Sequence, residues 1–325
     1  MNRQRTLVLL LFFTVASSAI LLGQTPVNFK IAFMGDQGLR ENARAVLNLI
    51  KKEGANAVVH LGDFDYEDDP AAWDAQINSI LGSNFLYFAC AGNHDAHSYY
   101  GSGGYQEFMI ARMKRLGIRW DGDLGVKSSF VSNGIFFVLT APDVFGSGHA
   151  NYIKEQLAKN NSIWRISGWH KNMTAMQAGG KSNETGWGVY EESRKGSAII
   201  ATAHEHSYSR THLLSSCKNQ TVASTSDTLA LSADDPVTSQ DEGRTFVFVS
   251  GLGGKSIRDQ EQSGKWWASI YTETQRANSG ALFGVFNFEG KQGLARFYFK
   301  DIEGNVPDEF YVEVSRSKEW SIKAQ

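Results

Sequence analysis

The sequence predicts an α/β protein built in its first half on a largely parallel sheet. Two observations carry this. Short apolar runs alternate with helical patterns from residue 29 to 116, and each apolar run exits into a polar motif beside a glycine. A third observation qualifies it. The last part of the chain holds strand-like segments separated by turn signals, which predicts an antiparallel, β-rich end.

Phe29 to Met34 is a buried strand running into Gly35-Asp36-Gln37-Gly38. Leu39 to Glu53 follows with Ala43, Val46, Leu47 and Ile50 on one helical stripe, and Gly54 stops it. Ala57 to Leu61 is the next strand and ends in Gly62-Asp63; Ala71 to Leu81 is helical. Phe85 to Ala91 is a third strand, ending in Gly92-Asn93-His94-Asp95, and Tyr105 to Leu116 a third helix. Ser129 to Thr140 reads as two strands around the turn Asn133-Gly134. Tyr152 to Leu157 is a short helix, and the strand Ile163 to Ile166 runs into Gly168-Trp169-His170. Trp187 to Arg194 is helical, and the strand Ala198 to Thr202 runs into Ala203-His204-Glu205-His206. Ser215 to Glu242 is rich in Ser, Thr and Asp and reads mostly as a long surface excursion. Thr245 to Ser250, Ala281 to Phe288, Leu294 to Phe299 and Glu309 to Val314 close the chain as strands.

The 325 residues carry 42% hydrophobic and 20% charged side chains with a formal net charge of −2, ordinary for a globular protein and without the basic field that nucleic acid requires. Residues 1–23 begin with two arginines and continue as an apolar run, the pattern of a signal peptide or, alternatively, an N-terminal anchor. The expectation is a secreted or periplasmic protein with no stable membrane association once the leader is removed. Residues 27–315 are then the catalytic domain and residues 316–325 a polar tail. Export would permit a bridge between Cys90 and Cys217, although Cys90 sits in an apolar run that suits a buried free thiol equally. Asn160, Asn172, Asn183 and Asn219 each begin an N-x-S/T triplet, a glycosylation signal only in a glycosylating host.

The strand ends gather Asp36, Asp63, Asp65, Tyr66, Asn93, His94, Asp95, His170, His204 and His206, including four of the eight histidines. Ligands collect beyond the C-terminal ends of parallel strands. Oxygen and imidazole donors suit hard or borderline cations. His204 and His206, two apart in an extended segment, project to one side. Singly, an Asp after a strand is usually a turn residue and a lone His usually structural. Independent accidents would rarely put all of them at successive strand ends.

Asp36-Gln37-Gly38, Gly62-Asp63-Phe64-Asp65-Tyr66, Gly92-Asn93-His94-Asp95, His170 and His204-Glu205-His206 resemble the calcineurin-like metallophosphoesterase superfamily. Within it they are similar to the purple acid phosphatase pattern DxG, GDxxY, GNH[DE], VxxH, GHxH. The resemblance implies a four-layer sandwich of two mixed β-sheets flanked by helices. It implies that Asp36, Tyr66 and His206 hold a first metal, that Asn93, His170 and His204 hold a second, and that Asp63 bridges them. It gives His94 the phosphoryl oxygen or leaving group, with Asp95 expected to orient His94. Tyr66 implies Fe(III) in the first site, because a phenol of pKa about 10 ligates as phenolate only beside a strong Lewis acid. The second site would take divalent Fe, Zn or Mn. Asp65 offers a competing register in which it, rather than Tyr66, faces the metal.

Two departures leave the donors intact: Ala203 replaces the glycine of GHxH, and Ser167 replaces the valine of VxxH. A third matters more. No histidine lies between His170 and His204, where the family has a further substrate-binding one, and Lys171 and Asn172 are the candidates in its place. The implied activity is acid phosphatase hydrolysis of small phosphomonoesters by attack of metal-bound hydroxide. The alternatives are a phosphodiesterase or nucleotide hydrolase of the same superfamily, and a non-catalytic exported binding protein on the same scaffold.

Overall fold

The computed structural model describes residues 24–234 and 240–314; the expected leader and polar tail lie outside them. In chain order the elements are β1 (Phe29–Met34), α1 (Glu41–Lys52), β2 (Ala57–His60), α2 (Pro70–Ile80), β3 (Leu86–Ala89), α3 (Tyr105–Arg115), β4 (Asp121–Asp123), β5 (Lys127–Ser132) and β6 (Ile135–Thr140). They continue with α4 (His149–Lys159), β7 (Trp164–Gly168), α5 (Trp187–Lys195), β8 (Ile199–Thr202), β9 (Tyr208–Thr211), β10 (Leu213–Ser216), β11 (Thr221–Ser224) and β12 (Thr228–Leu231). The last are β13 (Val247–Ser250), β14 (Trp267–Tyr271), β15 (Gly280–Phe286), β16 (Leu294–Asp301) and β17 (Asp308–Val314).

Two mixed sheets result, of seven strands in the order β12-β17-β16-β15-β1-β2-β3 and eight in the order β14-β9-β13-β8-β7-β6-β5-β4, with β10 and β11 as a separate ribbon. This is the sandwich of two mixed sheets that the resemblance implied, and it corrects the reading of one parallel half followed by one antiparallel half. β1, β2 and β3 pair in parallel, but the other edge of β1 is taken by β15, antiparallel, from the far end of the chain. The all-apolar β15 is buried along its length, so it needs a partner on both edges and a layer on both faces. The second sheet is parallel at its centre, through β6, β7, β8 and β13, and antiparallel at both edges.

One apolar core, including Phe33, Val59, Phe88, Phe137, Ile166, Phe248 and Phe297, draws on both sheets; a second packs α4 and α5 against the outer face of the second sheet through Ile153, Leu157, Val189 and Tyr190. A buried ion pair clamps sheet to sheet: Arg210 of β9 donates to both oxygens of Asp308 of β17, at 2.7 and 2.9 Å, and the Tyr208 hydroxyl adds 2.6 Å. The Asn133-Gly134 turn between β5 and β6 places both residues at positive φ, 49° and 73°, as a tight hairpin requires.

The expected excursion from Ser215 to Glu242 is partly wrong. It contains β11 and β12, and β12 forms the edge of the first sheet, parallel to β17. Its Leu229 and Leu231 are buried between exposed Thr228 and Ala230, an alternation too short to stand out in polar sequence. Cys90 and Cys217 are free, buried thiols, in different cores. Among the described residues, no helix is long and apolar enough to cross a membrane.

Candidate metal centre

β1, β2 and β3 of one sheet and β7, β8 and β13 of the other all lead with their C-terminal ends into one cluster of polar side chains. Their exits are sharp turns. Asp36, Asp63, Tyr66 and His204 have φ of 57°, 58°, 63° and 69°, a left-handed backbone that costs a residue bearing a Cβ about 1 kcal/mol or more. Close approach fixes the glycines between them. A Cβ on Gly92 would lie 2.2 Å from Asp63 Oδ1, and one on Gly35 would lie 2.4 Å from the Ala203 Cβ. The second contact explains why an alanine fits at residue 203: the methyl occupies the space that Gly35 leaves.

The donors form two triangles. In the first, the Tyr66 hydroxyl donates to Asp36 Oδ1 at 2.9 Å and lies 3.1 Å from His206 Nε2, which is 3.3 Å from Asp36 Oδ1. In the second, His170 Nε2 is 3.2 Å from Asp63 Oδ1 and 3.0 Å from His204 Nδ1. The Asp63, His170 and His204 donor atoms all lie within 4.8 Å of one another, and all three residues are buried. Asn93 Oδ1 is buried with no hydrogen-bond partner, as a neutral oxygen reserved for a cation would be. Asp65 turns away; its carboxylate accepts from the backbone N–H groups of Glu67 and Asp69 at 2.8 and 3.1 Å. Tyr66, not Asp65, therefore faces Asp36 and His206.

The electrostatics ask for positive charge. Asp36 and Asp63 are 0% and 1% exposed, and a carboxylate buried without a cation is costly. Burial would raise the Asp36 pKa, but the His206, His170 and His204 imidazoles outweigh it and hold the carboxyl well below its usual range. Burial lowers the His170 pKa, yet the Asp63 carboxylate overrides it and pushes the ring up to about 9, so a proton serves as the local cation. Burial, then His170 and Lys181, keeps His204 neutral. Burial, then the Asp36 and Asp63 charges, drives the Tyr66 phenol far above its ordinary value, so only a strong external cation would release that proton.

The neighbouring contacts are specific. His170 Nδ1 bonds the Leu61 carbonyl at 2.7 Å, which turns Nε2 towards Asp63. The Ser256 hydroxyl meets His206 Nδ1, and Lys255 Nζ stands 4.2 Å above the Tyr66 ring. The His94 ring is exposed and lies against Tyr66, centroids 4.6 Å apart, while its backbone N–H donates to Asp63 Oδ1 at 2.9 Å.

Two expectations need correction, and a third residue has partners of its own. Asp95 does not orient the His94 ring: its oxygens accept from the backbone N–H groups of Gly92, Asp63 and Phe64 at 2.6, 2.9 and 2.7 Å, tying the second and third strand exits together. Asn172 is no substrate contact. It is fully buried, donates to the Ala203 carbonyl at 2.7 Å and accepts from the Tyr190 hydroxyl at 2.9 Å, which also hides its glycosylation triplet in the folded chain. Lys171 is already ion-paired, with Asp143 at 2.9 Å and Glu184 at 3.2 Å. The cation that does reach the cluster is Lys181, with Nζ 3.0 Å from both nitrogens of His204. Glu184, Ser256, Lys255 and Arg258 are further neighbours that no strand-end pattern singled out. The glycine-rich segment from Gly251 to Lys255, which follows β13, is the one sequence signal that could have pointed to Lys255 and Ser256.

Two mixed sheets with an oxygen-and-imidazole cluster at their shared edge define, by class, a sandwich scaffold able to hold metal ions. Residues 29–208 match the model of the calcineurin-like phosphoesterase family, and the chain belongs to that family. No curated protein matches the sequence. Among solved structures, the fold is similar to a purple acid phosphatase from yellow lupin (Lupinus luteus) seeds, with a TM-score of 0.63 and 18% identity over 90% of this chain. The chain spans 55% of that protein's length. It is also similar to GAP50, described as the anchor in the inner membrane complex of Plasmodium, with a TM-score of 0.54, 12% identity, and 89% and 90% of the two chains covered. The family implies a binuclear metal centre, and the residues present fit one: Asp36, Tyr66 and His206 would hold one ion, Asn93, His170 and His204 the other, with Asp63 shared.

Proposed function

We propose that the protein is an exported acid phosphatase that hydrolyses small phosphomonoesters at a binuclear metal centre. The pair of donor triangles carries this reading, with Asp63 in the second and its charge acting on Tyr66 of the first. Tyr66 favours Fe(III) in the first triangle, because that phenol yields its proton only to a strong Lewis acid. The second triangle, with its carboxylate and two imidazoles and with neutral Asn93 as a further donor, suits divalent Fe, Zn or Mn. Once bound, the two ions would supply charge neutralisation for the phosphoryl group and a water of lowered pKa.

The chain's own residues do the rest. Asp63 keeps the two sides in register and fixes the His94 backbone. His94, exposed at the mouth and laid against Tyr66, is placed to protonate the departing alkoxide. Lys181 and Lys255 bring two cations to the rim, from the segments after β7 and after β13, with Arg258 beside them paired to Glu205. A monoester dianion gains more from that rim than a diester monoanion does. This supports a phosphatase over a phosphodiesterase despite the histidine missing before His204. The arginine-led apolar segment at residues 1–23 supports export.

Purified full-length protein assayed on p-nitrophenyl phosphate, its bis ester and nucleotides, alongside metal analysis and a visible spectrum, tests the reading. Monoester preference, two metals and a phenolate–iron band are expected; a diester preference overturns the substrate class. The fold similarity to a protein described as an anchor keeps a non-catalytic binding role in view, and metal-loaded protein with no hydrolysis of any of these esters would favour it.

A further inference from the structure

Residues 171–186, between the β7 exit and α5, lie against the second donor triangle. The segment is held to itself: Thr174 N–H bonds the Asn183 side chain at 2.9 Å, the Thr174 hydroxyl and the Gln177 amide bond the Lys181 carbonyl at 3.0 and 2.9 Å, and the Glu184 N–H bonds the Asn172 carbonyl at 3.1 Å. Glu184 therefore arrives at a fixed place. Its Oε2 lies 2.8 Å from His204 Nε2 and its Oε1 3.2 Å from Lys171 Nζ, while Lys171 also reaches Asp143.

A neutral imidazole has one N–H and one lone pair, and the partner of one nitrogen decides which is which. A carboxylate can only accept, so Glu184 places the proton on Nε2. The lone pair is then on Nδ1, the nitrogen 3.0 Å from His170 Nε2. Lys181 Nζ stands 3.0 Å from both ring nitrogens and so does not choose between them; the Glu184 bond alone fixes the proton. We propose that Glu184 is a positioning residue for the second metal: by holding His204 Nε2–H it presents Nδ1 as the donor. Lys171 steadies Glu184 in turn. This rests on the binuclear reading above.

The experiment uses full-length protein stripped of metal, dialysed against graded Zn²⁺ and analysed for bound ions, with the thermal melt of the stripped protein as a folding control. Wild type should bind two ions. Glu184→Ala should weaken the second ion about 10- to 100-fold and leave the first unchanged. Glu184→Gln, whose amide oxygen still accepts, should recover part of that loss. An unchanged second affinity in Glu184→Ala, or an equal loss at both sites, overturns the proposal while the binuclear reading stands. Fewer than two ions in wild type overturns both. If the alanine variant melts early, Glu184→Gln decides: an affinity equal to the alanine variant's rules out the hydrogen bond as the cause.

Discussion

The two sides of the centre are built differently. On the first side, Asp36, Tyr66 and His206 touch one another directly, at 2.9 to 3.3 Å, and their braces are single neighbours, Ser256 beneath His206 and Lys255 over Tyr66. On the second side two imidazoles, His170 and His204, meet, and each ring is oriented from outside its own motif, His170 by the Leu61 carbonyl and His204 by Glu184, as His206 is by Ser256 on the first side. A phenol and a carboxylate offer the same oxygen however they rotate, whereas an imidazole has two different nitrogens and must be told which to present. The difference teaches that histidine donors demand more surrounding structure than oxygen donors do.

Four substitutions break or sharpen that contrast. Asp63→Asn acts on both sides. Metal analysis should find both ions depleted, and kcat/KM should fall about a thousandfold or more, since the pair contributes several kcal/mol to the transition state. Retained turnover would mean that the sides do not depend on a shared carboxylate. His94→Ala touches neither donor set. Metal content should hold while kcat drops about a hundredfold or more, the usual scale for a proton donor, and full turnover would remove His94 from the chemistry. Tyr66→Phe acts on the first side alone. The visible band should vanish while the second ion stays, and a surviving band would mean that iron is held another way. Asn172→Ala loosens the support behind the second side. It leaves the Tyr190 O–H without its acceptor in the interior, while the Ala203 carbonyl keeps the Glu205 N–H, so unfolding stability should fall by roughly 1 to 3 kcal/mol in denaturant titration.

The seven donors were legible in the sequence because strand ends carry signatures of fixed order. An apolar run, a glycine and a polar residue at one exit are readable wherever sheet and loop meet at a sharp turn, and the positive φ at Asp36, Asp63 and His204 is the conformation those turns impose. The two corrected roles were misread for a common reason. Asp95 and Asn172 sit beside donors in the sequence, but their side chains turn inward to backbone and core partners. Adjacency in sequence gives no direction to a side chain in a loop. β12 was missed because an edge strand needs only two inward residues, here Leu229 and Leu231.

The sequence by itself determined the candidate donors, their order and the expectation of a centre at the strand ends, because those depend on local turns and on side-chain chemistry. Tertiary structure alone decided which sheet each strand joins, that β15 closes the free edge of β1, and that Lys181 and Glu184 rather than Lys171 and Asn172 reach His204. Residues 171–186 follow no helical or strand period along most of their length, so their course is set by packing against the second sheet and the loops at its strand ends, which come from distant parts of the chain. That is information no single segment contains.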